Sequence, residues 1–377
     1  MIGIYFHIPF CKKACHYCDF HFSTQVQSLP NMIKAIQNEW AARAGERTGK
    51  MIRSIYFGGG TPSLIPEDLF LSFSHYIQTS HSISKDVEIT IEVNPDDVSP
   101  SRLQAWKKAG VNRISLGVQS MDDGVLQWMN RAHDAKQAER AIQLSKEAGI
   151  DNISVDLIYG HGRFTTGTLR DDVERILALQ PTHLSAYSLT IEPKTVLDFE
   201  FRKNAYRPLD QAIIADEFLT IHHMLSSIGM NHYELSNYAF PGKESIHNSS
   251  YWQGFPYMGL GPSAHSFDGY LTRSWNLSNN PQYLKKFIDQ TNVTIQTIET
   301  LSNENRANEY WMTGLRTAKG VDLDYFENKL SLPLNKAQLD QINKWYKSGH
   351  LKYEGNRINC TPEGWMLMDA ILTDLFF

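Results

Sequence analysis

Strand-like and helix-like stretches alternate through the first 230 residues, and that alternation limits the fold more than any other feature. Apolar, β-branched runs recur at 2–8, 54–59, 88–93, 113–118, 152–160 and 183–189. Helical patterns lie between them at 30–45, 66–79, 100–109, 134–148 and 168–179. Strand, helix, strand repeated in this way predicts an α/β fold with a parallel sheet and crossover helices. Six such units are fewer than the eight of a closed barrel, so the expected core is a partial, open (β/α)6 TIM-like barrel. An open doubly wound sheet is the alternative, because strand order cannot be read from the sequence. Mostly apolar strands suit a sheet covered on both faces.

The pattern changes after residue 230. Residues 231–300 are rich in Asn, Ser, Tyr, Gly and Pro and carry the stretches HNSSYW and GLGPSAHSF. From 301 to 377 the order is helix, helix, a hairpin around HLKYEGNRINCT, and a last helix, which predicts a smaller α+β, winged-helix-like C-terminal domain. Basic residues are not concentrated there, and the net charge is −5, so no nucleic-acid partner is expected.

Polar and glycine-rich signals fall at the carboxyl ends of the predicted strands, where parallel α/β folds build their sites. A cysteine loop follows the first strand and GGGTP follows the second. Glu92 ends the third strand, Gln119 ends the fourth, and Asp156 lies late in the fifth.

Three of the four cysteines, Cys11, Cys15 and Cys18, lie within HIPFCKKACHYCDF. The N-terminus has no basic region and no small-residue cleavage site, so no signal peptide is expected. No run of about 18 apolar residues offers a membrane span, leaving at most peripheral membrane association. In the cytoplasm that this implies, thiols stay reduced and clustered cysteines point to metal or redox chemistry. The spacing C-x3-C-x2-C lets one short loop hold three corners of a cubane and leaves one iron open to a small molecule. A zinc site completed by His7 or His16 is the competing reading, weakened by the lack of a second C-x2-C. Cys360, in the predicted hairpin, reads as a buried structural cysteine.

C-x3-C-x2-C followed by GGGTP resembles the radical S-adenosylmethionine (SAM) superfamily. YFHIPFC, GGGTPS, IEVNP, LGVQS, NR and DLIYG occur in the order seen in oxygen-independent coproporphyrinogen III oxidases and their relatives. The resemblance implies a [4Fe-4S] cluster on Cys11, Cys15 and Cys18, with SAM bound by its amino and carboxylate groups at the open iron. In that family the reduced cluster cleaves SAM to give a 5′-deoxyadenosyl radical. The resemblance further implies that Tyr5 and Tyr17 flank the SAM site. Gly59, Gly60 and Thr61 would meet the methionyl amino group through their backbone, where glycine permits close approach. Glu92, Gln119, Arg131 and Asp156 would hold the carboxylate, ribose and adenine parts.

Within that family the chain resembles the haem-chaperone branch, HemW. The oxidase carries a fourth cysteine two positions past the last cluster ligand, where this chain has Phe20, and it has a longer N-terminal extension. HNSSYW, His247 to Trp252, resembles the branch's haem motif, which implies iron ligation by His247 and packing of Tyr251 and Trp252 on the porphyrin. A flat ligand on this motif is expected to cover the open side of the barrel. The resemblance thus implies haem as ligand, with an acceptor protein and an electron donor as partners whose identity it does not give. One departure is local: the family follows DLIYG with Leu or Ile and then Pro-Gly, whereas this chain continues HGRFTTG, in the region expected around adenosine. The alternatives are the oxidase itself, which decarboxylates two propionates of coproporphyrinogen III, and a nucleic-acid-modifying radical SAM enzyme.

Overall fold

The computed structural model describes residues 1–377. Six strands stand side by side in chain order, all parallel: β1 (Ile2–Ile8), β2 (Ile52–Gly59), β3 (Ile83–Val93), β4 (Arg113–Gln119), β5 (Ile153–Tyr159) and β6 (His183–Ser188). A doubly wound sheet would reverse its order at a switch point. This one does not, so the partial barrel is the observed core.

Side chains alternate along each strand. The outward set of β1, Ile4, Phe6 and Ile8, is fully buried. Phe6 packs on Phe57 of β2 and on Phe73 of the helix Glu67–Thr79, with ring centroids 5.1 and 5.0 Å apart. Several connecting helices begin at a side-chain cap: Ser99, Asp122, Asp134 and Thr168 each accept from a first-turn backbone N–H. Such caps satisfy donors that the helix itself leaves unpaired, and they fix where each crossover starts.

The inward set is polar, which the apolar character of the strands did not suggest. Tyr5, Ser54, Tyr56, Glu88, Thr90, Glu92, Arg113, Ser115, Ser154, Asp156, His183 and Ser185 alternate with the outward apolar residues. The strands are covered on both faces, but the inner cover is a network of hydrogen bonds.

Residues 231–300 supply strands to both edges of this sheet. β7 (Asn231–Glu234), at the outer edge, pairs antiparallel with β8 (Asn237–Ala239), and β8 pairs antiparallel with β6. The chain then passes through the helix Ile246–Trp252 and returns as β9 (Tyr257–Leu260), parallel to β1. β10 (His265–Phe267), β11 (Thr272–Asn276) and β12 (Gln296–Thr300) extend that edge to a 12-stranded sheet. Beyond it, the helices Asn303–Leu315, Asp324–Leu330 and Lys336–Lys347 surround a small sheet of β13 (Val321–Asp322), β14 (Leu351–Glu354) and β15 (Arg357–Cys360) in the order β13-β15-β14. This smaller domain has the helices and hairpin of a winged helix. It is tied to the barrel where Leu235 N donates to Arg316 O and Ala318 N to Tyr233 O, and Trp365 packs on His232. Cys360 is buried and free. No helix is long and apolar enough to cross a membrane.

Candidate functional site

A cavity of about 600 Å3 opens at the carboxyl ends of the strands. It brings together Cys11, Cys15, Cys18, Tyr17, Gly59, Gly60, Thr61, Glu92, Gln119, Arg131 and Asp156. Its size suits a nucleoside-sized ligand.

The GGGTP loop is laced to the segment that leads into the cysteines. Gly60 N donates to Ile8 O at 2.9 Å and Thr61 N donates to Phe10 O at 2.7 Å. The fit leaves no space for a side chain: a Cβ on Gly60 would lie 2.6 Å from Phe10 O. At Gly59, with φ +104°, a Cβ would lie 2.5 Å from the His7 ring. Only glycine accepts both the close approach and the left-handed backbone. Gln119 also sits at positive φ, +70°, an uncommon conformation for a residue with a side chain.

Glu92 is held from two sides. Tyr56 Oη donates to its Oε1 at 2.9 Å and Gly59 N donates to its Oε2 at 3.1 Å. Burial pushes its pKa up to about 7; the hydrogen bond from Tyr56 pulls down, and the neighbouring Asp156 pushes further up. Asp156 accepts from Ser115 Oγ at 3.2 Å, and burial raises its pKa as well. Arg131 spans the site. Its Nη1 donates to Cys15 Sγ at 3.2 Å and to Tyr17 Oη at 3.4 Å, and its Nη2 donates to Asn94 Oδ1 at 2.8 Å and Gly117 O at 2.7 Å. Its Nε is buried without a partner, so one donor stays free.

The three thiols are half-buried and unbridged. Burial raises the pKa of Cys11, and it raises that of Cys18 to about 11, with the other two cysteines adding to the shift at Cys18. A bound metal inverts this preference and holds thiolates. No three His, Cys, Asp or Glu side chains converge as a single-ion site requires. A cubane asks for less, because each thiolate binds a different iron. Three thiols on one cavity wall, beside a glycine cradle and an unpartnered guanidinium N–H, fit the cluster and SAM that the motif implies.

Four of the expected site residues lie elsewhere. Tyr5 sits below the cavity, its Oη 3.1 Å from His7 Nδ1. His247 is buried at the opposite end of the barrel, against Gly3 and Ser54. Ser54 precedes Gly59 on β2 by five residues, about 16 Å of strand. A flat ligand on HNSSYW therefore does not cover the open side: the chain crosses under the barrel between its two edges and carries the motif to the amino ends of the strands. Both ring nitrogens of His247 are engaged, Nδ1 with Ser54 Oγ at 2.8 Å and Nε2 with Tyr251 Oη at 2.7 Å. Trp252 is half-buried, and its Nε1 has no partner.

Three residues of the network escaped the sequence reading: Tyr56, Asn94 and Ser115. Each lies two positions from a residue in view, Gly58, Glu92 and Gly117, and two-residue alternation was the signal for them. The atypical HGRFTTG loop is pinned from Asp122, whose carboxylate accepts from the backbone and hydroxyl of both Thr165 and Thr166.

The Radical SAM superfamily model matches residues 5–176, and the HemN C-terminal domain model matches residues 301–367. The chain is 34% identical to the heme chaperone HemW of Lactococcus lactis over 96% of its own length and 94% of that protein. It is 31% identical to the heme chaperone HemW of Bacillus subtilis, covering 98% of each chain. Its fold matches coproporphyrinogen III oxidase (HemN) from Escherichia coli with a TM-score of 0.84 at 22% identity, over 100% of this chain and 90% of that one. With the barrel, the cysteine cavity and these matches together, the chain belongs to the radical SAM superfamily, in the HemW branch of the oxygen-independent coproporphyrinogen III oxidase-like family.

Proposed function

We propose that this protein is a cytoplasmic haem chaperone that holds a [4Fe-4S] cluster, binds SAM and haem, and passes haem to an acceptor protein. The observation that carries the reading is its likeness, over nearly its whole length, to relatives named heme chaperones. Cys11, Cys15 and Cys18 would hold the cluster, which supplies an open iron for the amino and carboxylate groups of SAM. The protein's own residues bind and orient. The Gly59–Thr61 backbone lies against the cysteine loop, Glu92 and Asp156 offer carboxylates on the cavity wall, and the free Arg131 N–H offers a donor. Phe20 stands at the cavity, 66% exposed, in the place of the fourth cysteine of the oxidase. That substitution favours the chaperone over the enzyme.

Haem contact by His247, Tyr251 and Trp252 belongs to this reading, with a condition. His247 must first leave Ser54 or Tyr251, so haem binding requires the helix Ile246–Trp252 to open.

The test is haem titration beside an oxidase assay, on anaerobically reconstituted protein. One haem per chain, no conversion of coproporphyrinogen III, and delivery of haem to an apo-acceptor are expected. Turnover of coproporphyrinogen III with reduced cluster and SAM would restore the oxidase reading.

A further inference from the structure

Tyr56 occupies the middle of the barrel and touches both ends of it. Its hydroxyl donates to Glu92 at the cavity floor. Its ring stacks on His247 of the lower helix, with centroids 5.0 Å apart and planes 27° apart. His247 is fixed in turn by Ser54 and Tyr251. Glu88 on β3 accepts from the backbone of Ile246 and His247, at 3.0 Å each, and so pins the helix start. Tyr56 is buried and Tyr251 half-buried, with burial raising both phenol pKa values, so the Tyr56 ring does not move without moving its neighbours.

We propose that Tyr56 is a positioning residue that couples the two ends of the barrel: it orients Glu92 for SAM, and His247 holds Tyr56 in the place where it can do so. The proposal rests on the reading that the upper cavity binds SAM. HNSSYW thus serves the cofactor site from below, whatever ligand it also takes. Withdrawal of His247 from the stack loosens Tyr56 and weakens SAM. By linkage, SAM then opposes whatever withdraws His247.

Four variants test this in cluster-loaded protein, with SAM affinity read by equilibrium dialysis: Tyr56→Phe, His247→Ala, His247→Phe and the double change Tyr56→Phe/His247→Ala. Tyr56→Phe keeps the ring and loses the bond to a carboxylate, so SAM should weaken about tenfold. His247→Ala should weaken SAM as well. His247→Phe, which restores a ring under Tyr56 without either nitrogen, should recover most of that loss. The double variant should be no weaker than Tyr56→Phe alone, because both changes break one path.

A second readout is the pH dependence of SAM binding. Tyr5, Tyr56, Arg113, Asp156, Cys11, Tyr187 and Tyr251 are the titratable or charged groups that bear on Glu92. Loss of the Tyr56 bond, which favours the carboxylate, should move the midpoint of that dependence upward. Additive losses, or wild-type affinity in His247→Ala, would overturn the coupling. Should His247→Ala fail to fold, His247→Phe decides: affinity as weak as in Tyr56→Phe overturns the stacking role. Wild-type protein that binds no SAM would instead remove the reading on which the coupling rests.

Discussion

Arg131 stands 3.2 Å from the sulfur of Cys15 and donates to it, from a position 116 residues further along the chain. A cluster thiolate at Cys15 would therefore carry a charge-assisted hydrogen bond. Hydrogen bonds to cluster sulfurs are among the factors that set the reduction potential. Arg131→Gln should lower the potential, because the oxidised, less negative cluster depends less on the lost cation. Redox titration followed by electron paramagnetic resonance checks this, and an unchanged potential would separate Arg131 from the cluster.

The cysteine set predicts a metal count. Anaerobically reconstituted protein should hold about four irons. Changing Cys11, Cys15 or Cys18 to Ala should remove the cluster, while Cys360→Ala should keep it, since Cys360 lies buried in the small C-terminal sheet. Stoichiometric zinc with no iron retained would rule the cluster out.

Asp156 reports on SAM without touching the thiols. Asp156→Ala should leave the iron count unchanged and weaken SAM by roughly 10- to 150-fold, the worth of a buried hydrogen bond to a charge. Calorimetric titration gives the ratio. Equal affinity in the two proteins would make Asp156 a structural partner of Ser115 only.

Glu92 predicts how stability varies with pH in the cofactor-free protein. Its pKa is about 7 when folded, against 4.5 as its ordinary value. The folded state therefore binds the proton more tightly, and the protonated carboxyl favours folding at low pH. That advantage declines as pH rises through the window from 4.5 to 7 and is gone above it. Glu92→Gln removes the dependence, so the variant should gain on wild type by on the order of 3 kcal/mol between pH 4.5 and 8. Urea unfolding at several pH values checks it; parallel curves for the two proteins would contradict the raised pKa.

Tyr251 occupies Nε2 of His247, one of the two ring nitrogens that could meet a haem iron. Tyr251→Phe removes that competition and should tighten haem by roughly 2- to 10-fold, the net worth of one neutral hydrogen bond. Visible-absorption titration beside His247→Ala distinguishes the cases: weaker binding in Tyr251→Phe would mean that the hydroxyl itself supports haem.

The strands were legible because their β-branched runs are bounded by turns and helical patterns, and the site was legible where a motif keeps functional residues close in sequence. Cys11 to Cys18 and Gly59 to Thr61 are of that kind. Tyr56 was not, because a tyrosine inside SIYFGG reads as part of an apolar strand; only the partner it finds on β3 gives it a role. The place of His247 was hidden for a related reason. Nothing in HNSSYW says which end of the barrel the crossing chain will reach. That is decided by β8 pairing with β6 and β9 pairing with β1, contacts between residues far apart in the chain.

The β1–β9 pairing also sets a timetable for synthesis. Gly3 lies beside Tyr257, more than 250 residues later. At roughly 5–20 residues per second, about 10–50 s separate the two as the chain leaves the ribosome. Through that interval one flank of β1 is a bare edge, the sort of edge that invites wrong partners. The cysteine loop beside it waits on an unfinished wall. The nascent chain thus passes through a stage in which all three thiols have emerged while the strap that closes the barrel has yet to be made.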